Sequence, residues 1–254
     1  MTTAISLRFG ACLLAFLLFL GPAVARENRR PKFGPYAVPL VQQTGFIRQS
    51  PAKDYWHFSQ YYLPQRTTSA CALASTAMAL NFLRGTPKYA NQTLITQNEL
   101  LHTVFTGVWA KKVAKGGAGV RFNELVTLVK KGLRYYKLQD YSVEVIRPAD
   151  NSPASLAGLR QALTTNETSA DDLMLAYFNQ GVLTSDWDGP HVTPIGAYDR
   201  AAGQVLIMDV DRDWYVPYWS PEVKLLEALL RPAPAAQGVL AGAIGGLVWI
   251  RRHP

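Results

Sequence analysis

QRTTSACALASTAMALNFLRG, residues 65–85, decides the architecture. Cys71 to Leu83 reads as one buried helix, with Leu73, Met78, Leu80 and Leu83 among its apolar residues. Gly85 stops it and Pro87 follows. Thr67, Thr68 and Ser69 stand ahead of it as N-cap candidates. Cys71 therefore lies where a helix begins. A helix N-terminus favours the thiolate, the reactive form of cysteine, through its dipole and its free N–H groups.

Further along, GPHVTPIGAYD (189–199) opens a predicted strand with His191, and GQVLIMDVDRDWYVP (203–217) carries Asp209 on the next. An imidazole can hold the proton of a thiol and later deliver it to a leaving amine. If the two strands are neighbours, Asp209 can take a hydrogen bond from the second ring nitrogen and fix the tautomer. Gln65 lies six residues before the cysteine (71 − 65 = 6). Its amide can donate to a developing oxyanion, with the Cys71 N–H as second donor. Taken singly, each has a plainer explanation: a small buried thiol, a satisfied core histidine, a turn acid and a surface amide. Together, in this order, Cys71, His191, Asp209 and Gln65 point to thiol acyl transfer.

The rest of the chain fits one enzyme-sized domain. It has 254 residues, of which 48% are hydrophobic and only 17% charged, enough for a substantial core. Thr96 and Glu99 form a capping box for a helix reaching about Trp109. Lys111 to Gly119 is a Lys/Gly loop, and Phe122 to Lys131 is an amphipathic helix ending at Gly132. Tyr141–Ile146, Asp172–Phe178, His191–Tyr198 and Val205–Val210 read as strands. Ser152-Pro153 starts a helix through Leu163, and Ser220-Pro221 starts one to Leu230. The apolar end, GVLAGAIGGLVWI, reads as a last core strand, with a short membrane tail as the alternative. Helices first and strands afterwards give an α+β fold, with a helical half carrying the cysteine and an antiparallel β half carrying the histidine and aspartate.

Residues 1–25 read as a secretory signal peptide. Arg8 is the positive n-region, Ala11–Leu20 the apolar run and Ala23-Val24-Ala25 the cleavage site. The run falls short of the roughly 20 apolar residues of a membrane span, and an uncleaved anchor is the alternative. Residues 26–49 follow as an extended arm rich in Arg, Pro and Gly, and 50–254 as the catalytic domain. Removal of the signal takes Cys12 away and leaves Cys71 as the single thiol. An odd thiol in an exported protein points to reactivity, or to an intermolecular bridge, and excludes a zinc site built on several thiolates. Export across an inner membrane to the periplasm is expected, with no stable membrane insertion afterwards. The net charge of +8 comes without a basic–aromatic motif, so no nucleic-acid partner is expected.

These segments resemble the papain-like cysteine peptidases and, more narrowly, the phytochelatin synthases. That family has a Gln, a Cys followed by Gly-x-Ala-Ser, and a helix ending near Leu-Asn-Ala-Leu, matched by Gln65, Cys71, Ala74, Ser75, Leu80 and Asn81. HVTPIGAY (191–198) is similar to its His-Phe-Ser-Pro-Ile-Gly-Gly-Tyr. DVDRDWYVPYW (209–219) meets every specified position of its Asp-Val-x-Arg-x-x-Tyr-x-Pro-x-Trp. The departures are Ala72 for the glycine after the cysteine, and the segment FNQGVLTSDWDGP before the histidine, a residue longer and without the family's arginine and Gly-Gln pair. The resemblance implies cleavage of glycine from glutathione through a γ-glutamylcysteinyl thioester, which passes to water or to a second glutathione. The chain is similar to the short bacterial forms, which mainly hydrolyse. No cofactor is required. Heavy-metal ions enter as metal–thiolate substrate or as activator, and a homodimer is left open. Two other functions remain open from sequence: a papain-like peptidase on a peptide such as a bacteriocin leader, and a peptide-binding module without catalysis. DVDRD is not a calcium loop, since Trp214 replaces the needed glycine. GGAG (116–119) lacks the lysine and spacing of a phosphate loop.

Overall fold

The computed structural model describes residues 32–104 and 107–253. The predicted signal peptide lies outside them. Seven strands form one antiparallel sheet: β1 (Val38–Pro39), β2 (Tyr141–Ile146), β3 (Asp172–Asn179), β4 (Pro190–Asp199), β5 (Gln204–Ile207), β6 (Tyr218–Pro221) and β7 (Gly246–Arg252). Their spatial order is β1-β6-β5-β4-β3-β7-β2, with every neighbouring pair antiparallel. The apolar C-terminal stretch is thus an interior strand, between β3 and β2.

Side chains of a strand alternate between faces, and both faces of this sheet are covered. Leu173, Leu175, Tyr177, Val248 and Ile250 face a core that includes α3 (Cys71–Arg84) and α6 (Phe122–Tyr135). Met174, Ala176, Phe178, Leu247 and Trp249 face the opposite core, under α7 (Pro153–Thr168) and α9 (Glu222–Leu230). That explains why β3 is buried along its whole length and reads as a continuous apolar run. The sheet half therefore carries helices of its own on its outer face.

Several boundaries differ from the sequence expectation, each for a local reason. The hydroxyls of Thr67 and Ser69 do not cap α3. They donate to the carbonyls of Val113 (2.5 Å) and Gly117 (2.6 Å), tying the cysteine's approach to the loop at 113–119. Ala70 is the N-cap. Helix α6 runs through Gly132, because that glycine makes room for Leu80 of α3. A Cβ there would lie 2.8 Å from Leu80 Cδ1. The helix from Gln97 ends at Thr103, and Val108–Lys112 is a separate turn of helix. Thr96 caps through the Glu99 N–H, but the Glu99 carboxylate accepts from Tyr136 Oη (2.7 Å) instead of closing the box. Helix α7 extends past Leu163 to Thr168. Of the predicted arm at 26–49, the described residues, 32–49, are less extended than expected: Val38–Pro39 pairs with β6, Gly45–Gln49 is helical, and Ile47 is buried in the core. The strand at 205 stops at Ile207, which leaves Asp209 just beyond it.

Candidate active site

Helix α3 brings Cys71 to the sheet. It packs on β4, and one turn after Cys71 the buried Ser75 hydroxyl donates to the Val192 carbonyl at 2.9 Å. That bond fixes the helix start against the residue next to His191. At the other end of α3, buried Asn81 donates to the Ile95 carbonyl (2.9 Å) and accepts its N–H (2.8 Å), locking the chain that leaves the helix.

His191 is the second residue of β4, and Asp209 reaches it from the segment after β5. The register pairs Ile195 with Ile207, and the Met208 N–H continues the ladder to the Pro194 carbonyl (3.0 Å). The next residue, Asp209, therefore runs beside the start of β4. Its Oδ1 lies 2.9 Å from His191 Nε2. Cys71 lines the same cavity as His191 and lies near enough to raise the imidazole's pKa. With Nε2 turned to Asp209, Nδ1 is the ring nitrogen left for the thiol.

Asp209 is fully buried, yet its oxygens are well supplied. Gln180 Nε2 donates to Oδ2 (2.9 Å) and the Asp211 N–H to Oδ1 (2.9 Å). The Tyr62 hydroxyl donates to the Asp209 carbonyl. Burial alone disfavours a charged His191. The Asp209 carboxylate and the contact with Cys71 outweigh it and hold the imidazole's pKa well above its ordinary value. An imidazole set between a carboxylate and a thiol is the arrangement that a cysteine nucleophile needs.

Gln180 was not expected from the sequence. It opens the short helix α8 (Gln180–Thr184) directly after β3, and its own N–H is held by the Gly189 carbonyl at 2.9 Å. Asp211 lines the cleft as well as supporting Asp209 through its N–H. Gln65 sits apart from these residues in one respect: its side chain is not among those lining the cleft. Its N–H donates to the Val210 carbonyl (2.7 Å), beside Asp209, and its buried Oε1 has no partner among the described residues.

Cys71 and His191 open into one cavity of about 400 Å³. Its lining includes Gly116–Val120 together with Lys32, Asp186, Trp187, Asp211 and Trp214. The buried Tyr177 hydroxyl, in the same cavity, has no partner among the described residues.

A family model for phytochelatin synthase matches residues 43–237, a span that holds Gln65, Cys71, His191 and Asp209. The chain belongs to the phytochelatin synthase family. Glutathione gamma-glutamylcysteinyltransferase 1 of Arabidopsis thaliana is 23% identical over 221 residues, covering 82% of this chain and 41% of its own length. Glutathione gamma-glutamylcysteinyltransferase 3 of Lotus japonicus is likewise 23% identical, covering 82% of this chain and 42% of its own. The chain thus spans well under half of these plant relatives. Among solved structures, the Pseudomonas avirulence protein AvrPphB aligns at TM-score 0.30 and 11% identity, covering 76% of this chain and 98% of its own. Among the described residues no helix is long and apolar enough to cross a membrane.

Proposed function

We propose that this phytochelatin synthase family member is a thiol acyltransferase and hydrolase that removes glycine from glutathione. Cys71 sulfur attacks the carbonyl of the Cys–Gly peptide bond. The oxyanion is met by the Cys71 N–H at the helix start and by the Gln65 amide. As the C–N bond breaks, His191 gives its proton to the glycine nitrogen, and a γ-glutamylcysteinyl thioester stays on Cys71. Water, or the amine of a second glutathione, then attacks the thioester. His191 takes the proton from that nucleophile, and the thiolate leaves. Asp209 keeps the ring oriented and offsets its charge throughout.

The observation that carries this reading is Cys71 and His191 lining one cavity, with Asp209 bonded to the imidazole from behind at 2.9 Å, all within the span matched to the family. Heavy-metal ions belong with the substrate here, as glutathione thiolates. Export to the periplasm, argued from residues 1–25, completes the proposal.

The test is glycine release from glutathione by the full protein, with intact-mass analysis of the enzyme during turnover. A γ-glutamylcysteinyl adduct on the parent and neither adduct nor glycine from Cys71→Ala is the expected result. Glycine release that survives in Cys71→Ala would overturn the nucleophile. No release from the parent would overturn the substrate.

A further inference from the structure

The N-terminal arm reaches the catalytic cleft, although the family match begins only at residue 43. Its course is fixed. The Lys32 N–H donates to the Trp214 carbonyl (3.2 Å), and Phe33 meets Tyr215 and Tyr218 edge-on at 6.0 Å. Gly34 lies so close to α8 that a Cβ would come within 2.2 Å of the Thr184 carbonyl oxygen. These contacts deliver one side chain to the cavity. Lys32 Nζ lies 3.1 Å from Asp186 Oδ1 and 4.1 Å above the Trp214 ring. Asp186 is held independently by the Tyr215 hydroxyl at 3.0 Å.

An ion pair this exposed adds little to stability, about 0–1 kcal/mol. Its position is more informative. Among the described residues lining the cavity, Lys32 is the one lysine or arginine, and two carboxylates, Asp186 and Asp211, share the lining with it. An ammonium has three N–H donors, and Asp186 occupies one. The position also has a sense relative to the chemistry. Asp186 and Trp187 belong to the loop that leads into His191, and Trp214 lies on the segment leaving Asp209. The departing nitrogen must face the imidazole that protonates it, so the departing residue lies towards this end. Its carboxylate is only two bonds beyond that nitrogen.

We propose that Lys32 binds the free carboxylate of the departing residue, so that the arm restricts the acyl donor to peptides with a single residue after the scissile bond. This rests on the glycine-releasing reaction above and adds to it a specificity-determining residue from outside the family match. Lys32 makes the same contact in ground and transition states, so its loss acts on KM rather than on kcat.

The experiment compares glutathione with its glycine ethyl ester, which lacks the carboxylate charge, on the parent, Lys32→Gln and Lys32→Arg. The parent should favour glutathione by about tenfold in kcat/KM, the scale of one charge-assisted hydrogen bond. Lys32→Gln should raise KM for glutathione by about tenfold at unchanged kcat while turning over the ester as the parent does. Lys32→Arg should restore the preference. The ester reaction shows that the variant is folded. If Lys32→Gln keeps the parent's acid-to-ester ratio, or slows both substrates equally, Lys32 only straps the arm and this proposal falls while the glycine-releasing reaction stands. If the parent cleaves neither substrate, both fall.

Discussion

Asp209 is surrounded by donors: Gln180 Nε2, the Asp211 N–H and His191 Nε2 all point at its two oxygens. Asp209→Asn would keep the volume but set an amide N–H2 against one of them and favour the wrong imidazole tautomer. Turnover should fall by about 10³–10⁴-fold with the fold retained, checked by steady-state kinetics beside a thermal melt. Asp213→Ala, exposed on the same segment, should stay within a few-fold of the parent; an equal loss there would mean the wrong aspartate was chosen. Asp211→Ala would not serve as a neutral control, because Asp211 lines the cleft. For Gln65, the oxyanion role requires Gln65→Ala to lower kcat by about 10²–10³ with KM little changed. A near-normal kcat would agree with its place outside the cavity lining and remove it from the machinery. Cys71, His191 and Asp209 were legible because each sits in a distinctive local pattern. Gln180 was not, because an amide after a strand carries no pattern. Its meaning arises only when β3 and β4 pair and bring residue 180 next to residue 209.

At the scale of elements, glycine is where sequence and structure part most clearly. Gly132 reads as a helix stop, but helix termination and close packing call for the same residue, and here Leu80 of a distant helix decides. Strands β6 and β1 were missed for a related reason: they are short, and they pair with each other across about 180 residues of chain. The long β3 and β4 could be read because both are buried along their whole length, β3 with an unbroken apolar run from Leu173 to Phe178. Two glycines make a matched test of packing. A Cβ on Gly245 would lie 2.0 Å from the Tyr177 carbonyl oxygen, a backbone atom beside the cleft, with the Gly245 N–H already bonded to the Leu229 carbonyl at 2.8 Å. Gly245→Ala should therefore cost more than about 2 kcal/mol by overpacking. Gly158 is exposed on α7 with nothing within 4 Å of its would-be Cβ. Gly158→Ala should gain about 0.5–1 kcal/mol from helix propensity and a less flexible unfolded chain. Denaturant midpoints of the two variants, compared at equal m-value, should move in opposite directions. Movement in the same direction would mean that glycine's flexibility, not the Tyr177 contact, sets both.

The molecule as a whole also carries a group of buried carboxylates that do not line the candidate site. Asp54, Glu167 and Asp172 stand where α2 (Lys53–Phe58), α7 and β3 meet. Asp54 accepts from Asn166, Glu167 from the Ala52 and Tyr198 N–H groups, and Asp172 from Trp249 Nε1 at 2.7 Å. Lys53 is close to Glu167, and Asp199 adds a further negative charge. For all three, desolvation by burial is the largest influence and raises the pKa above the ordinary carboxylate value despite these bonds, Asp54 most strongly. An acid whose folded pKa is raised binds its proton more tightly when folded. The stability this confers is complete below the unfolded carboxylate values, about 3.9–4.3, and is lost as pH rises through the folded values. His191, also raised, acts in the same sense at higher pH. Thermal stability should therefore decline as pH is raised from about 4.5 towards neutrality, against the usual optimum between about pH 5 and 8. Asp54→Asn removes the strongest contributor without changing the side chain's size. It should melt higher than the parent at pH 7.5, with the difference shrinking as pH falls. Melting curves of parent and variant across this range provide the check. Parallel profiles would mean that Asp54 is charged in the folded protein at neutral pH at no cost, and that the Asn166 hydrogen bond fully offsets its burial.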